Sequence, residues 1–274
     1  MFLSRSDLSS DLRNLGLGDG DIVMVHAAVS AVGEMINGPD TLIDALREAG
    51  GEAGTVMAYT DWDARYEALL DEGGRVPEEW RDKVGGYDAR RSRTVRDNGI
   101  FPEFLRTTPG AVRSANPGAS MTAIGARADW LTKDHPLDYG YGPGSPLAKL
   151  VEAGGKVLMI GAPLDTMTLI HHAEHLAQLP DKRIKRCEVP FATAGGVVWR
   201  MSEEFDTADA VCPQLDGVDY FTIIVTTYLE GGRGREGFVG DARCVLVDAK
   251  GMLEHAVTWI EHAVRAVQDS NPGL

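Results

Sequence analysis

The sequence is poor in several features that mark large classes of protein. It carries 3 cysteines in 274 residues, Cys187, Cys212 and Cys244, an odd number without C-x-x-C spacing. That argues against a disulfide framework and for a reducing compartment. No apolar run approaches the roughly 20 residues needed to span a bilayer. The opening stretch, MFLSRSDLSSDLRNLGLG, has neither the apolar region nor the small-residue cleavage site of a secretory signal. A cytoplasmic protein with no membrane partner is therefore expected. Basic residues are also scarce, 27 Lys and Arg against 41 Asp and Glu, a net charge of −14. Nucleic acid is an unsuitable partner for such a chain, because phosphate binding needs clustered cations. Internal repeats and low-complexity linkers are missing as well. With 43% hydrophobic and 25% charged residues, the composition is that of one globular domain over residues 1–274. The acid excess has two readings: a solvated surface, or an acidic cleft that focuses its field on a cationic substrate.

The hydrophobic pattern alternates helices with short apolar strands. Leu3, Leu8, Leu12 and Leu15 recur at helical spacing and Gly16 stops the helix. IVMV (Ile22 to Val25), TVMAYT (Thr55 to Thr60) and KVLMIGAP (Lys156 to Pro163) read as buried strands. Helices are expected over Pro39 to Ala49, Asp165 to Leu179, 217–230 and 251–268, with a strand at 243–248. Residues 184–191 and 197–205 form an antiparallel pair turned by Gly195-Gly196. The expected fold is α/β, a three-layer α/β/α domain around a central mixed sheet. Residues 61–98 interrupt it. They are polar, charged and glycine-containing, and too long for an ordinary connection, which marks a partly helical functional insertion.

The stretch TLIHHAEH (Thr168 to His175) concentrates three histidines and a glutamate. His171 through His175 match H-x-x-E-H, a zinc signature in which His171 and His175 lie one turn apart. That reading needs a third ligand downstream, and Glu203, Glu204, Glu236 and Glu254 are undistinguished candidates. A second reading uses only His171 and Glu174, whose i, i+3 spacing brings them together on one helix face. A carboxylate on one imidazole nitrogen fixes the tautomer and leaves the other nitrogen as a general base near neutral pH. The helix follows a buried strand, the place where open α/β sheets bind ligands. A third reading makes them ordinary half-buried helix residues.

Five segments in order resemble the aminoglycoside 3-N-acetyltransferase (antibiotic N-acetyltransferase) family, whose fold differs from that of GCN5-type acetyltransferases. They are MVHAAVSAVGEMINGPDTLIDAL, VRSANPGASMTAIG (Val112 to Gly125), YGPGSPLAKL (Tyr141 to Leu150), the stretch from Gly161 to Glu174, and REGFVGDARCVLVDA. The resemblance implies transfer of acetyl from acetyl-CoA, a co-substrate, to the 3-amino group of a 2-deoxystreptamine aminoglycoside, conferring antibiotic resistance, with no metal. His171 then carries over as the base and Glu174 as its orienting partner. His26 is a third catalytic candidate, and the loop with Ser30, Ala31, Val32 and Gly33 would line the acetyl and pantetheine arm. Arg113 and Ser114 are candidates for the coenzyme's phosphates. Two departures stand out. Ala27-Ala28 follows His26 where the family often has Ser, and Asn116 stands where it has His in RSxHP.

A polycationic substrate gives the acids a role. Asp61, Asp63 and Glu67, with Trp62 and Tyr66 offering flat faces, form one candidate substrate cluster. Glu204 and Asp206, within Glu203-Glu204-Phe205-Asp206, form another. Gly232 to Gly237 spells G-x-G-x-x-G, but it follows a helix and precedes a strand, the wrong context for a dinucleotide fingerprint; a mobile loop is expected there. The alternatives are acetyl transfer to another small amine and a zinc hydrolase; a monomer or homodimer is expected.

Overall fold

The computed structural model describes residues 2–208 and 210–270; residues 1, 209 and 271–274 of the expected single domain lie outside them. At its centre β1 (Ile22–Ala27) runs parallel to β2 (Thr55–Tyr59) on one side and β5 (Lys156–Ile160) on the other. Antiparallel strands extend both edges. β4 (Met121–Gly125) pairs with β2 and carries the short β3 (Val112–Arg113). β9 (Ala242–Asp248) pairs with β5 and carries β8 (Arg235–Val239). The sheet is therefore mixed, with order β3-β4-β2-β1-β5-β9-β8.

Side chains of a strand alternate between faces, and this alternation builds two cores. Val23, Val25 and Ala27 of β1 join Val56, Ala58, Leu158 and Ile160 under α1 (Arg5–Leu15), α2 (Pro39–Gly50) and α4 (Phe101–Thr107). Met24, Met57, Met121 and Met159 face the other way. They meet α5 (Ala128–Thr132), α6 (Pro146–Glu152), α7 (Leu169–Leu176), α8 (Tyr220–Glu230) and α9 (Ala249–Ser270). Each fully buried Leu, such as Leu12 or Leu46, contributes on the order of 2 kcal/mol. His26 shares the face of Met24, and Tyr59 that of Met57. Met24 and Met57 are paired, so the same alternation aims His26 and Tyr59 at the α7 side of the sheet's end.

A separate hairpin, β6 (Ile184–Thr193) and β7 (Gly196–Phe205), carries the insertion. Buried Glu188 of β6 accepts from Arg81 (2.7 Å), from Arg75 (3.2 Å) and from the Val76 N–H (3.1 Å). The Tyr87 and Ala192 amides add main-chain bonds to Pro190 and Tyr87. Gly74 has φ +70°, and a Cβ there would lie 1.8 Å from the Arg186 carbonyl, so only glycine permits this contact. The insertion itself is mostly irregular, with α3 (Glu78–Arg81) as its one α-helix among the described residues.

Three expectations change. Leu3 is outside α1, because Ser4 caps it in a capping box and Leu3 instead bridges to Met35. The histidine helix is shorter than Asp165 to Leu179: a separate 3-10 turn spans Leu164–Thr166, and extended backbone at Ala177 ends α7 ahead of Pro180. The stretch expected as a mobile loop is half strand, since Arg235–Val239 is the sheet's edge strand β8.

Candidate active site

The i, i+3 spacing on α7 does what helical geometry requires. His171 Nδ1 lies 2.7 Å from Glu174 Oε2. Glu174 is fully buried, and its other oxygen accepts from the Tyr220 hydroxyl at the start of α8. Burial, and then the nearby Glu174 charge, push the Tyr220 pKa upward, so the phenol keeps its proton and donates. With Nδ1–H donating to Glu174, the remaining lone pair of His171 is on Nε2. The imidazole is 24% exposed and is clamped between rings, Tyr141 at 5.0 Å and Phe221 at 5.0 Å.

His171 opens onto a cavity of about 270 Å³ at the carboxyl end of β1. His26, Ala27 and Ala28 form one wall, Ala162 and Pro163 after β5 another, and Tyr59, Asn98 and Phe221 enclose it. Its position, outside the ends of the parallel strands, is the usual ligand place in such sheets. Burial, with His171 adding repulsion, pushes the His26 pKa down to about 4, so this ring is neutral near pH 7. Its Nε2 is buried with no hydrogen-bond partner among the described residues. Such an orphan is costly unless a ligand satisfies it.

The loop after β1 turns in a 3-10 helix over Val29–Ala31. Ser30 is exposed, Val32 is fully buried, and Ala31 lies against Gly161. Gly33 has φ +101°, and a Cβ there would come within 2.7 Å of Asp241. Of this loop, the residues on the cavity wall are thus Ala27 and Ala28 rather than the Ser30 to Gly33 set.

Arg113 and Ser114 are spent inside the fold. Arg113 Nε donates to Ser120 (3.0 Å), one terminal nitrogen to the Ser92 carbonyl (2.6 Å) and the other to the Thr60 carbonyl. Ser114 Oγ accepts from the Met121 amide (3.0 Å) and bonds His135 Nδ1 (2.8 Å). Both tie β3 to its neighbours, and neither lines the His171 cavity. Asn116, the second departure, is equally structural: it donates to the Pro136 carbonyl and accepts from the Ala119 amide.

Beside this cavity is a cleft between the insertion and the hairpin. Trp62, Tyr66 and Glu67 line one side, and Glu204 and Phe205 the other, with Tyr141 at its base. Trp62 and Tyr66 stack on each other at 5.6 Å and continue to Tyr87 and Trp199. Part of their area therefore serves the lobe's own packing. Asp61 sits at the join, bonded to Asn98 Nδ2 (2.5 Å) beside Tyr59. Burial raises its pKa to about 7, against the opposing hydrogen bonds. Asp63 instead pairs with Arg65 (3.2 Å), and Asp206 caps the Ala208 amide. Neither is among the cleft's lining residues. Glu204 reaches the cleft but is heavily engaged, accepting from His175 Nε2, Gly140 N–H and Phe205 N–H.

The zinc geometry is not formed. His171 is turned to Glu174, while His175 bonds the His171 carbonyl and Glu204. Among the described residues no three His, Cys, Asp or Glu side chains converge as a metal site would require. Nor is any helix among them long and apolar enough to cross a membrane. Sequence reasoning missed Tyr59, Tyr141 and Tyr220. The hydroxyls of Tyr59 and Tyr141 are 2.6 Å apart, and both lie within 3.1 Å of the Gly118 carbonyl. Only Tyr141 carried a signal, being the first residue of YGPGSPLAKL.

Comparison with known proteins gives this geometry a family. A family model described as aminoglycoside 3-N-acetyltransferase matches residues 24–261. Aminoglycoside N(3)-acetyltransferase VIII of Streptomyces fradiae is 44% identical over 94% of this chain and 92% of its own length. An aminoglycoside N(3)-acetyltransferase III from Salmonella is 39% identical over 94% and 91%. Among solved structures, AAC-IIIb in a binary complex with CoASH is 62% identical with a TM-score of 0.95, over 96% of this chain and 98% of that one. AAC-VIa with bound sisomicin is 36% identical with a TM-score of 0.90, over 96% and 98%. The fold, the order of its motifs and these likenesses agree: the chain is an acyltransferase and belongs to the aminoglycoside 3-N-acetyltransferase family.

Proposed function

We propose that this protein transfers the acetyl group of acetyl-CoA to the 3-amino group of a 2-deoxystreptamine aminoglycoside, and thereby confers resistance to the drug. One observation carries the reading: His171, Glu174 and Tyr220 form a hydrogen-bonded chain that ends on a cavity beside an acid-bearing cleft. Relatives with the names given above bind CoASH and sisomicin.

The residues present fit a thioester. The cavity wall of Ala27, Ala28, Ala162 and Pro163 is small and apolar, and the orphaned His26 Nε2 is a buried polar atom in want of a partner. Acetyl-CoA supplies an acyl carbon already activated for attack, so no covalent enzyme intermediate is required. His171 Nε2 takes the proton from the substrate amine as its nitrogen bonds the acyl carbon; the C–S bond then breaks, and the departing thiolate of coenzyme A takes that proton from the imidazolium. Glu174, held by Tyr220, keeps the imidazole in the needed tautomer and stabilises it once protonated. Neutral His26 offers an N–H to the acyl oxygen as negative charge develops there. Glu67 on the cleft wall and Asp61 at the join hold the cationic acceptor, with Trp62 and Tyr66 against its rings.

Thiol release from acetyl-CoA with a panel of aminoglycosides, with and without EDTA, tests this. Release that survives EDTA is expected. No release with any aminoglycoside overturns the reading; release with other amines alone would favour a different acetyl acceptor.

A further inference from the structure

Glu204 and His175 make a second histidine–carboxylate pair, separate from the one that carries the chemistry. The His175 side chain is 2% exposed. Its Nε2 lies 2.6 Å from Glu204 Oε1 and its Nδ1 lies 2.8 Å from the His171 carbonyl. Both partners offer acceptor oxygens, so the ring is held from both of its nitrogens. Glu204 also accepts from the Phe205 amide (2.8 Å) and the Gly140 amide (2.6 Å). Gly140 directly precedes Tyr141, whose ring lies against His171 at 5.0 Å. A Cβ on Gly140 would come 2.4 Å from Asn116 Nδ2, so the segment has no room to shift on that side.

Two routes thus run from Glu204 to His171. One passes through His175 to the backbone of the base. The other passes through Gly140 and Tyr141 to the face of its ring. Glu204 belongs to β7, so both routes begin on the hairpin that walls the substrate cleft. We propose that His175 and Glu204 are positioning residues for His171, a clamp that fixes the base's helix to the substrate-binding hairpin. This rests on the acetyl-transfer reading above and assigns Glu204 a different main task from gripping the substrate. With three donors on its carboxylate, Glu204 has little capacity left for a substrate ammonium.

A general base must hold its geometry within about 0.5 Å, and a misplacement of about 1 Å costs up to about 100-fold in rate. His175→Phe keeps a ring against Tyr139 and Phe205 but loses both hydrogen bonds. Glu204→Gln keeps the shape and sets an amide against the Gly140 N–H. Both variants are expected to lower kcat by about 10- to 100-fold, with KM for the aminoglycoside within about threefold of wild type. The 15N resonances of His171 in the free protein are expected to move in both, a readout independent of turnover. Wild-type thiol release establishes first that the acetyl-transfer reading holds. If it is absent, that reading fails while the resonances still test the clamp. A tenfold rise in KM at unchanged kcat in Glu204→Gln would make Glu204 a direct substrate ligand and overturn the proposal. Unmoved His171 resonances in Glu204→Gln would overturn it too, even if His175→Phe does not fold.

Discussion

The proposed base and the proposed substrate cleft are built in opposite ways. His171 and Glu174 are three residues apart on one helix, and the helix alone brings them together. The cleft draws on segments far apart in the chain, residues 61–98, 116–119 and 184–207, held by one buried acid, Glu188, and by rings in edge-to-face contact. A locally built pair tolerates change elsewhere, whereas an assembled wall fails when its fastening fails. Chemistry and recognition should therefore separate under mutation.

The largest effect is expected at the local pair. His171→Ala removes the base and should lower kcat by about 10²- to 10⁴-fold. Coenzyme affinity, measured by calorimetry, should stay near wild type, because the Ala27–Ala28 and Ala162–Pro163 walls are untouched. A variant with wild-type turnover would remove His171 from the mechanism. The assembled wall gives the contrasting result. Glu188→Ala leaves Arg75, Arg81 and the Val76 amide without their shared acceptor. Loss of about 1–3 kcal/mol of stability is expected, read from denaturant unfolding. The KM for the aminoglycoside should rise several-fold, while kcat at saturation stays within about twofold. A kcat loss as large as that of the base variant would mean the two regions are one unit.

The same division decides what was legible in the sequence. The three-layer fold was readable because β1, β2 and β5 are continuous apolar runs, which only a sheet covered on both faces can bury. The His171–Glu174 pair was readable because helix geometry converts a spacing of three into a contact. Tyr220 was not, because it reaches Glu174 across 46 residues of chain through the packing of α8 on α7. Glu204 was expected as a substrate acid; it lines the cleft, but its bond to His175 crosses 29 residues and no spacing announces it. Arg113 shows a partner set that no pattern announces: carbonyls on neighbouring segments, Ser92 and Thr60, accept from its guanidinium. The α7 boundaries were overextended because Asp165 and Thr166 belong to a separate 3-10 turn, and the backbone leaves the α-helix at Ala177 although the apolar pattern runs on to Leu179.

The smallest expected effect lies at the join of the two regions. Burial raises the Asp61 pKa from 3.8 to about 7 in the folded protein. Between those values the folded state holds a proton that the unfolded state has released. Asp61 therefore weakens stability as pH rises from about 4 through about 7, and the deficit is full above that. Binding has the opposite sign, since a cationic acceptor is attracted only by the ionised carboxylate. In wild type, kcat/KM for the aminoglycoside should gain from Asp61 as pH rises through about 7. Asp61→Asn removes both dependences. The variant should lose part of the rise in kcat/KM, by a few-fold, while its stability falls less than that of wild type as pH rises from about 4 to about 7. Because His171 is unchanged in the variant, the difference between the two profiles belongs to Asp61. If the two pH profiles superimpose, Asp61 contributes nothing to recognition and the cleft begins farther out, at Glu67.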